Sequence, residues 1–362
     1  MRNIRKIIVA VLLIAIPSSF AVGEESKVYT LGLILPFTGE GASIANFTKR
    51  SVDLAYSELS KEMQAKLKLI YADDSMDPKK SISTFQMMTD LQGVDGIICM
   101  TSGIGHALAP LAERKKKLMI DIGASDKAFA VGKDYVFIHW VSPEAEAEKM
   151  TQEIKRRGYQ RIAGISHIQQ GVEAYNQAFF SMLKQEGLYE RLVFHEQLAV
   201  GTTDFNTTLT KLRGANADAI YLAVFSDGLA TASRRIKELG IGGEIFGAEF
   251  FEDEHVVKAS NGALYGSWYV NVDDATAGFV KKYQARYQEF PGLTSSNAYD
   301  TLNLIARGVE LHGRDNLKIA GSLKTLKDYR GAAGVYSATE DNRFTLPAAV
   351  KIVEKDAFKK IN

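Results

Sequence analysis

The sequence predicts an α/β fold: two Rossmann-like lobes with parallel sheets, joined by a three-segment hinge. Three observations predict it. Short, almost unbroken apolar runs such as Tyr29–Leu35 alternate with stretches of helical period along most of the chain. Uniformly apolar strands belong to parallel sheets covered on both faces, and regular β–α alternation builds such sheets. The alternation fills one block and then a second, and 362 residues suit two domains better than one. The remaining tail is too small for a third lobe, so it returns to complete the first two.

In the first block, strands are expected at 29–35, 67–71, 96–100 and 117–122. The intervening helices bury Ile44, Phe47, Val52, Ala55 and Leu59, then Ile82, Phe85, Met88 and Leu91. Asp77 is placed to cap the second of these, with Pro78 at its first position. In the second block, strands are expected at 161–165, 192–194, 219–225 and 244–247. Helices fall at 144–157, 172–186, 204–214 and 227–239, with Gly158, Gly187 and Gly240 where C-caps belong. The tail reads as helices at 275–287 and 297–312 and a strand at 347–353. Chain crossings near Val141, Val270 and Ser337 divide the protein into 27–141 plus 271–336 and 142–270 plus 337–362.

The N-terminus has a different character. Arg2, Arg5 and Lys6 precede ten apolar residues, 7–16, and Pro17-Ser18-Ser19 ends the run. This is the pattern of a secretory signal peptide over residues 1–23, cleaved after Ala21 or Gly23. Ten apolar residues are too few to cross about 30 Å of hydrocarbon. Cys99 is the single cysteine, so neither an internal disulfide nor a lipid-modified cysteine after the signal is expected. The expected location is therefore the periplasm, as a soluble protein and not a lipoprotein.

Composition and motifs narrow the function. With 44 basic and 43 acidic residues and no basic cluster, nucleic acid is not an expected partner. No phosphate-loop signature occurs, and Gly39-Glu40-Gly41 continues as Ala42-Ser43-Ile44 instead of completing a dinucleotide fingerprint. Ser102 lacks the glycine two residues earlier that a nucleophile elbow requires. The six histidines show no metal-ligand spacing. No catalytic residue, metal or cofactor is expected, and the protein does not read as an enzyme.

Binding residues are easier to find. Ligands of open parallel sheets sit beyond the carboxyl ends of the strands, where helix N-termini point. Thr101-Ser102-Gly103 lies at such a place, and a helix start suits a carboxylate. Ser102 could equally be an ordinary capping serine. Gly123-Ala124-Ser125 ends the next strand in small residues that allow close approach. Glu249, among aromatics at a strand end of the second block, could meet an ammonium group or pair with a basic residue across the cleft. Phe225, before Ser226-Asp227, is the aromatic residue expected in the cleft.

Together these stretches resemble the leucine/isoleucine/valine-binding family of periplasmic solute receptors, which have the type I periplasmic binding protein fold. The resemblance spans nearly all of the chain after the signal segment. It is carried by Leu33-Ile34-Leu35-Pro36-Phe37-Thr38-Gly39, by Asp73-Asp74 before Pro78, and by Thr203-Asp204-Phe205. Glu238-Leu239-Gly240 and Ala298-Tyr299-Asp300 add to it. The resemblance implies that Ser102 and nearby amides hold an amino acid's carboxylate. It implies that Gly123 and Ser125, with Ala124 between them, and Glu249 hold the ammonium. It departs from the family at Gln170-Gly171-Val172, which lacks an aromatic residue. Met76 and Thr101 stand where some relatives carry a disulfide, and Ile44 where some leucine binders carry a tryptophan.

The implied function is a monomeric receptor that closes over a small amino acid or similar solute and delivers it to an ABC permease in the inner membrane. The alternatives are the same fold binding an amide, urea or aromatic carboxylate, a receptor serving a sensor protein, and an exported α/β hydrolase.

Overall fold

The computed structural model describes residues 28–355 and 357–361. The expected signal segment lies outside the described residues. The first sheet is built from β1 (Tyr29–Leu35), β2 (Leu67–Asp73), β3 (Gly96–Cys99), β4 (Leu118–Asp121) and β5 (Val136–Ile138). Its order is β2-β1-β3-β4-β5, with every pair parallel. All seven residues of β1 are buried, as expected of a central strand covered by helices on both faces.

The covering helices of the first block are α1 (Ala42–Glu58), α2 (Lys61–Lys66), α3 (Pro78–Asp90) and α4 (Ser102–Lys115). Asp77 caps α3 as expected: its carboxylate accepts the N–H groups of Lys79 at 2.7 Å and Lys80 at 3.0 Å. In the second block, helices α5 (Pro143–Arg157), α6 (Gln170–Gln185), α7 (Asn206–Gly214), α8 (Ser226–Glu238) and α9 (Glu254–Ala259) alternate with strands. These are β6 (Ile162–Ile168), β7 (Leu192–Ala199), β8 (Ala219–Ala223), β9 (Glu244–Gly247) and β10 (Trp268–Val272). Gly158 ends α5 at φ +76°, a conformation that glycine adopts without strain.

Helices α10 (Ala277–Tyr287), α11 (Ser295–His312) and α12 (Asn316–Lys324) return to the first lobe. The Tyr29 hydroxyl donates to Asn316 Oδ1 at 2.9 Å, and Arg314 pairs with Asp95 at 2.6 Å. A short hairpin follows, β11 (Tyr329–Gly331) and β12 (Gly334–Tyr336). The chain then ends on the second sheet with β13 (Ala348–Val353) and β14 (Phe358–Lys360). That sheet runs β14-β13-β10-β9-β8-β6-β7, parallel from β10 to β7 and antiparallel at β13 and β14. In each sheet the first strand lies between its two successors, β1 between β2 and β3 and β6 between β7 and β8. The connections there leave in opposite directions and open a crevice at the strand ends.

Residues 268–272 form a buried strand that the sequence reading did not assign, and the chain leaves the second lobe at its end, where Val270 packs in the second core and Val272 in the first. Aromatic stacking fixes this strand: the Trp268 ring lies 4.7 Å from Phe246 at an interplanar angle of 7°. One expectation about the crossings needs correction. The third crossing comes near Pro347, not Ser337. Asn342 Nδ2 donates to the carbonyls of Ala130, Lys133 and Val136, Arg343 pairs with Ile138, and Phe344 and Leu346 enter the first core. Residues 337–346 therefore pack with the first lobe.

Candidate binding cleft

Both sheets aim their switch points at a single cleft between the lobes. Its lining comes from Glu40, Ile44, Met76, Met100, Thr101, Ser102, Gly123, Ser125, Trp140, Leu293 and Thr294 on one side. Gln169, Gly171, Phe225, Ser226, Glu249, Phe250, Asp253 and Val256 line the other. The space between these atoms, open solvent at its mouth included, is about 750 Å³. Six of the seven residues expected from the sequence line it. The exception is Ala124, which is fully buried in the first core. The turn after β4 directs its methyl group inward, while Gly123 and Ser125 on either side reach the cleft.

On the first lobe's side, the Ser102 hydroxyl accepts the backbone N–H groups of Ser125 and Asp126, each at 3.1 Å. It thereby locks the strand end after β4 onto the start of α4. The hydroxyl proton remains available as a donor, and the first turn of α4 adds unpaired N–H groups and positive dipole character. Thr101, just before this helix, adopts φ +81° and ψ 142°. That backbone region is sparsely populated for a β-branched residue, and such strain concentrates at functional sites.

Asp121, which sequence reasoning missed, ties the same corner together. Its carboxyl accepts the Gly123 N–H at 2.9 Å and interacts with the backbone N–H of Thr101. Burial pushes its pKa up to about 8. Only its position at the end of a strand that leads into the cleft could have drawn attention to it.

The second lobe supplies Glu249, 7% exposed, from the turn after β9. Ser125 Oγ reaches across the cleft to Glu249 Oε1 at 3.5 Å, while Oε2 has no partner. Burial pushes the Glu249 pKa up to about 7, with the Ser125 hydroxyl among the groups opposing that rise. An arriving cation would drive this carboxyl to its ionised form.

The rest of the cleft lining is largely apolar. Phe225 and Phe250 lie 4.8 Å apart, and the Phe225 N–H donates to His167 Nδ1 at 3.0 Å, which fixes the ring's backbone. Ile44, Met76, Met100, Leu293 and Val256 complete this wall. Thus two of the positions where the sequence departs from its resemblance, Ile44 and Met76, both belong to this apolar wall. Trp140, whose indole N–H has no partner, also lines the cleft. Its place three residues before α5, in a chain crossing, is not marked by any local motif.

The lobes touch at the cleft. Gly171, the second residue of α6, lies so close that a Cβ there would sit 3.0 Å from Ser102 Oγ. The N-termini of α4 and α6 thus abut end to end, and the structure is a closed one. Among the described residues no cluster of three His, Cys, Asp or Glu side chains could hold a metal ion. His106, instead, pairs with Asp126 at 2.6 Å. Among the same residues no helix is long and apolar enough to cross a membrane.

Two α/β lobes, three crossings and a cleft at both switch points define the type I periplasmic binding protein architecture. The chain belongs to the periplasmic binding protein family, whose model matches residues 28–357. The family consists of substrate-binding proteins. Its curated relatives include a Leu/Ile/Val-binding protein homolog of Brucella melitensis, 22% identical, with 93% of this chain and 95% of the relative covered. A leucine-, isoleucine-, valine-, threonine- and alanine-binding protein of Pseudomonas aeruginosa is 20% identical, with 81% of each covered. Among solved structures, the leucine-binding protein LivK of Thermotoga maritima superposes with a TM-score of 0.85 at 20% identity, covering 92% of this chain and 98% of LivK. A Rhodopseudomonas palustris solute-binding protein in complex with benzoate superposes with a TM-score of 0.80 at 15% identity, covering 92% and 96%.

Proposed function

We propose that the protein is a periplasmic receptor that captures a small amino acid, or a close analogue, and presents it to an ABC permease. The carrying observation is Glu249: a buried carboxyl with a free oxygen, lining the cleft opposite the start of α4. An amino acid brings one group for each, an ammonium for Glu249 and a carboxylate for Ser102 and the helix start. The apolar wall around Phe225 and Phe250 would receive the side chain. The names of the Brucella and Pseudomonas relatives agree with this class of solute.

The charge of the cleft favours the same reading. Its lining includes Glu40, Glu249 and Asp253 but no lysine or arginine. A solute bearing only a carboxylate would meet these acidic side chains with no basic side chain to pair with. The aromatic pair Phe225–Phe250 supports a second reading, an aromatic acid such as the benzoate held by the Rhodopseudomonas protein. Ligand contacts from both lobes would favour the closed state in either case.

Calorimetric titration of the protein with L-leucine, L-isoleucine and L-valine, repeated on Glu249→Gln, tests the ammonium role. Removing a charge-assisted hydrogen bond should cost about 1.5–3 kcal/mol, a loss of roughly tenfold or more in affinity. Equal affinities of the two proteins would remove Glu249 from that role.

A further inference from the structure

At Glu249, three buried ionisable side chains, its own included, converge from separate parts of the chain. Glu146, in the first turn of α5, is fully buried, and neither of its carboxyl oxygens has a hydrogen-bond partner. Glu249 is its strongest charged neighbour and lies within side-chain hydrogen-bond reach of it, while no donor other than a proton shared with Glu146 serves Glu249 Oε2. Arg343, from the segment before the third crossing, is 3% exposed. Its Nη2 donates to the Ser125 carbonyl, while Nε and Nη1 have no partner.

The surroundings decide how much negative charge this cluster can hold. Arg343 is also faced by Glu144, Asp126 and Asp341. Lys127 engages Glu144 at 3.0 Å and Asp341 at 3.3 Å, and His106 engages Asp126. Tyr175 of α6 and Tyr221 of β8 face both glutamates. On β13, which packs against α5, Lys351 is occupied by Glu252 and Asp274. Among the described residues, Arg343 is thus the basic group that faces the pair, on its Glu146 side, and it is shared with other acids. Two adjacent buried carboxylates with one shared counter-charge do not both ionise.

We propose that Glu146 and Glu249 hold one proton between them while the cleft carries no cation, and that a solute ammonium docking at Glu249 releases it. The proposal rests on the reading of Glu249 as the ammonium's partner. With the proton shared, the pair carries one negative charge beside Arg343. An ammonium adds one positive charge, the proton departs to solvent, and the pair becomes two carboxylates facing two cations. Glu146 is then a positioning residue, because it acts on the solute through Glu249. Burial raises both carboxyls, Glu249 to about 7 and Glu146 well above the usual range. The N-terminus of α5 favours ionised Glu146, but burial outweighs it.

Two measurements test this. Infrared spectra of the ligand-free protein, with its glutamates isotopically labelled, should show a protonated glutamate carboxyl at pH 8 that Glu146→Gln removes or shifts. Both glutamates ionised at that pH would overturn the shared proton. In the second, L-leucine or methylammonium is titrated calorimetrically at pH 8 in two buffers of different ionisation enthalpy. Close to one proton should leave per cation bound, with affinity rising by up to about tenfold per pH unit above pH 7. Glu146→Gln should bring proton release close to zero and flatten the pH profile, which a merely structural role would leave unchanged. Cation binding without proton release would overturn the coupling. If neither amine binds while benzoate does, the solute reading falls, and the infrared result alone decides whether the proton is shared.

Discussion

Thr101 holds φ +81° without a side-chain cap bond to offset it. A residue kept in such a region costs on the order of 1–3 kcal/mol. Thr101→Gly removes that strain and returns part of the gain, about 1 kcal/mol, through the freer unfolded chain. Denaturant unfolding should show Thr101→Gly more stable by about 1 kcal/mol. L-leucine affinity should fall, because the backbone is no longer held against the cleft. A less stable variant would mean that the Thr101 side chain contributes packing that outweighs the strain. At this scale the sequence reveals polar and aromatic residues at strand ends, which is why Ser102, Ser125, Phe225 and Glu249 could be expected to line the cleft. Asp121 reaches Thr101, Glu146 faces Glu249 and Arg343 holds Ser125, partners distant in the chain, so no local pattern marks them.

At the scale of elements, the closed form depends on α4 and α6 meeting end to end. Ser102 Oγ is held by two N–H groups and cannot easily yield to a Cβ placed 3.0 Å away. Gly171→Ala leaves the helix itself unharmed, since alanine is the better helix former. It should therefore keep the unfolding midpoint of the solute-free protein while weakening L-leucine binding several-fold, about 1 kcal/mol of overpacking. Small-angle scattering in saturating L-leucine should show a larger radius of gyration than for the unmodified protein. Unchanged affinity and radius would mean that the two helix ends do not need this contact. The strands and helices of both sheets were largely readable because buried parallel strands and amphipathic helices carry strong periodic signals. The strand β10 and the late third crossing were not. Trp268–Val272 gains its place from stacking on Phe246, and residues 337–346 gain theirs from Asn342 and Arg343.

At the scale of the whole molecule, two sheets with the same switch-point geometry face one another across three crossings. In the proposed clamp each lobe contributes half: a helix start and serine from the first, a buried glutamate from the second. A solute held by both halves would make binding and closure one equilibrium. The architecture was legible in the sequence because β–α alternation in two blocks constrains topology strongly. The side-chain pocket was less so, since Trp140, Leu293 and Thr294 come from a crossing and from the returning tail. The central claim is that the cleft recognises an ammonium and a carboxylate on one solute. The most direct measurement is a thermal-shift screen of ligand-free protein against matched pairs: an α-amino acid, the same acid without its amine, and benzoate. At about 100 times its dissociation constant a true solute adds about 2.7 kcal/mol to stability. The clamp predicts that only members carrying both groups raise the midpoint; a rise with benzoate or the amine-free acids alone would contradict it.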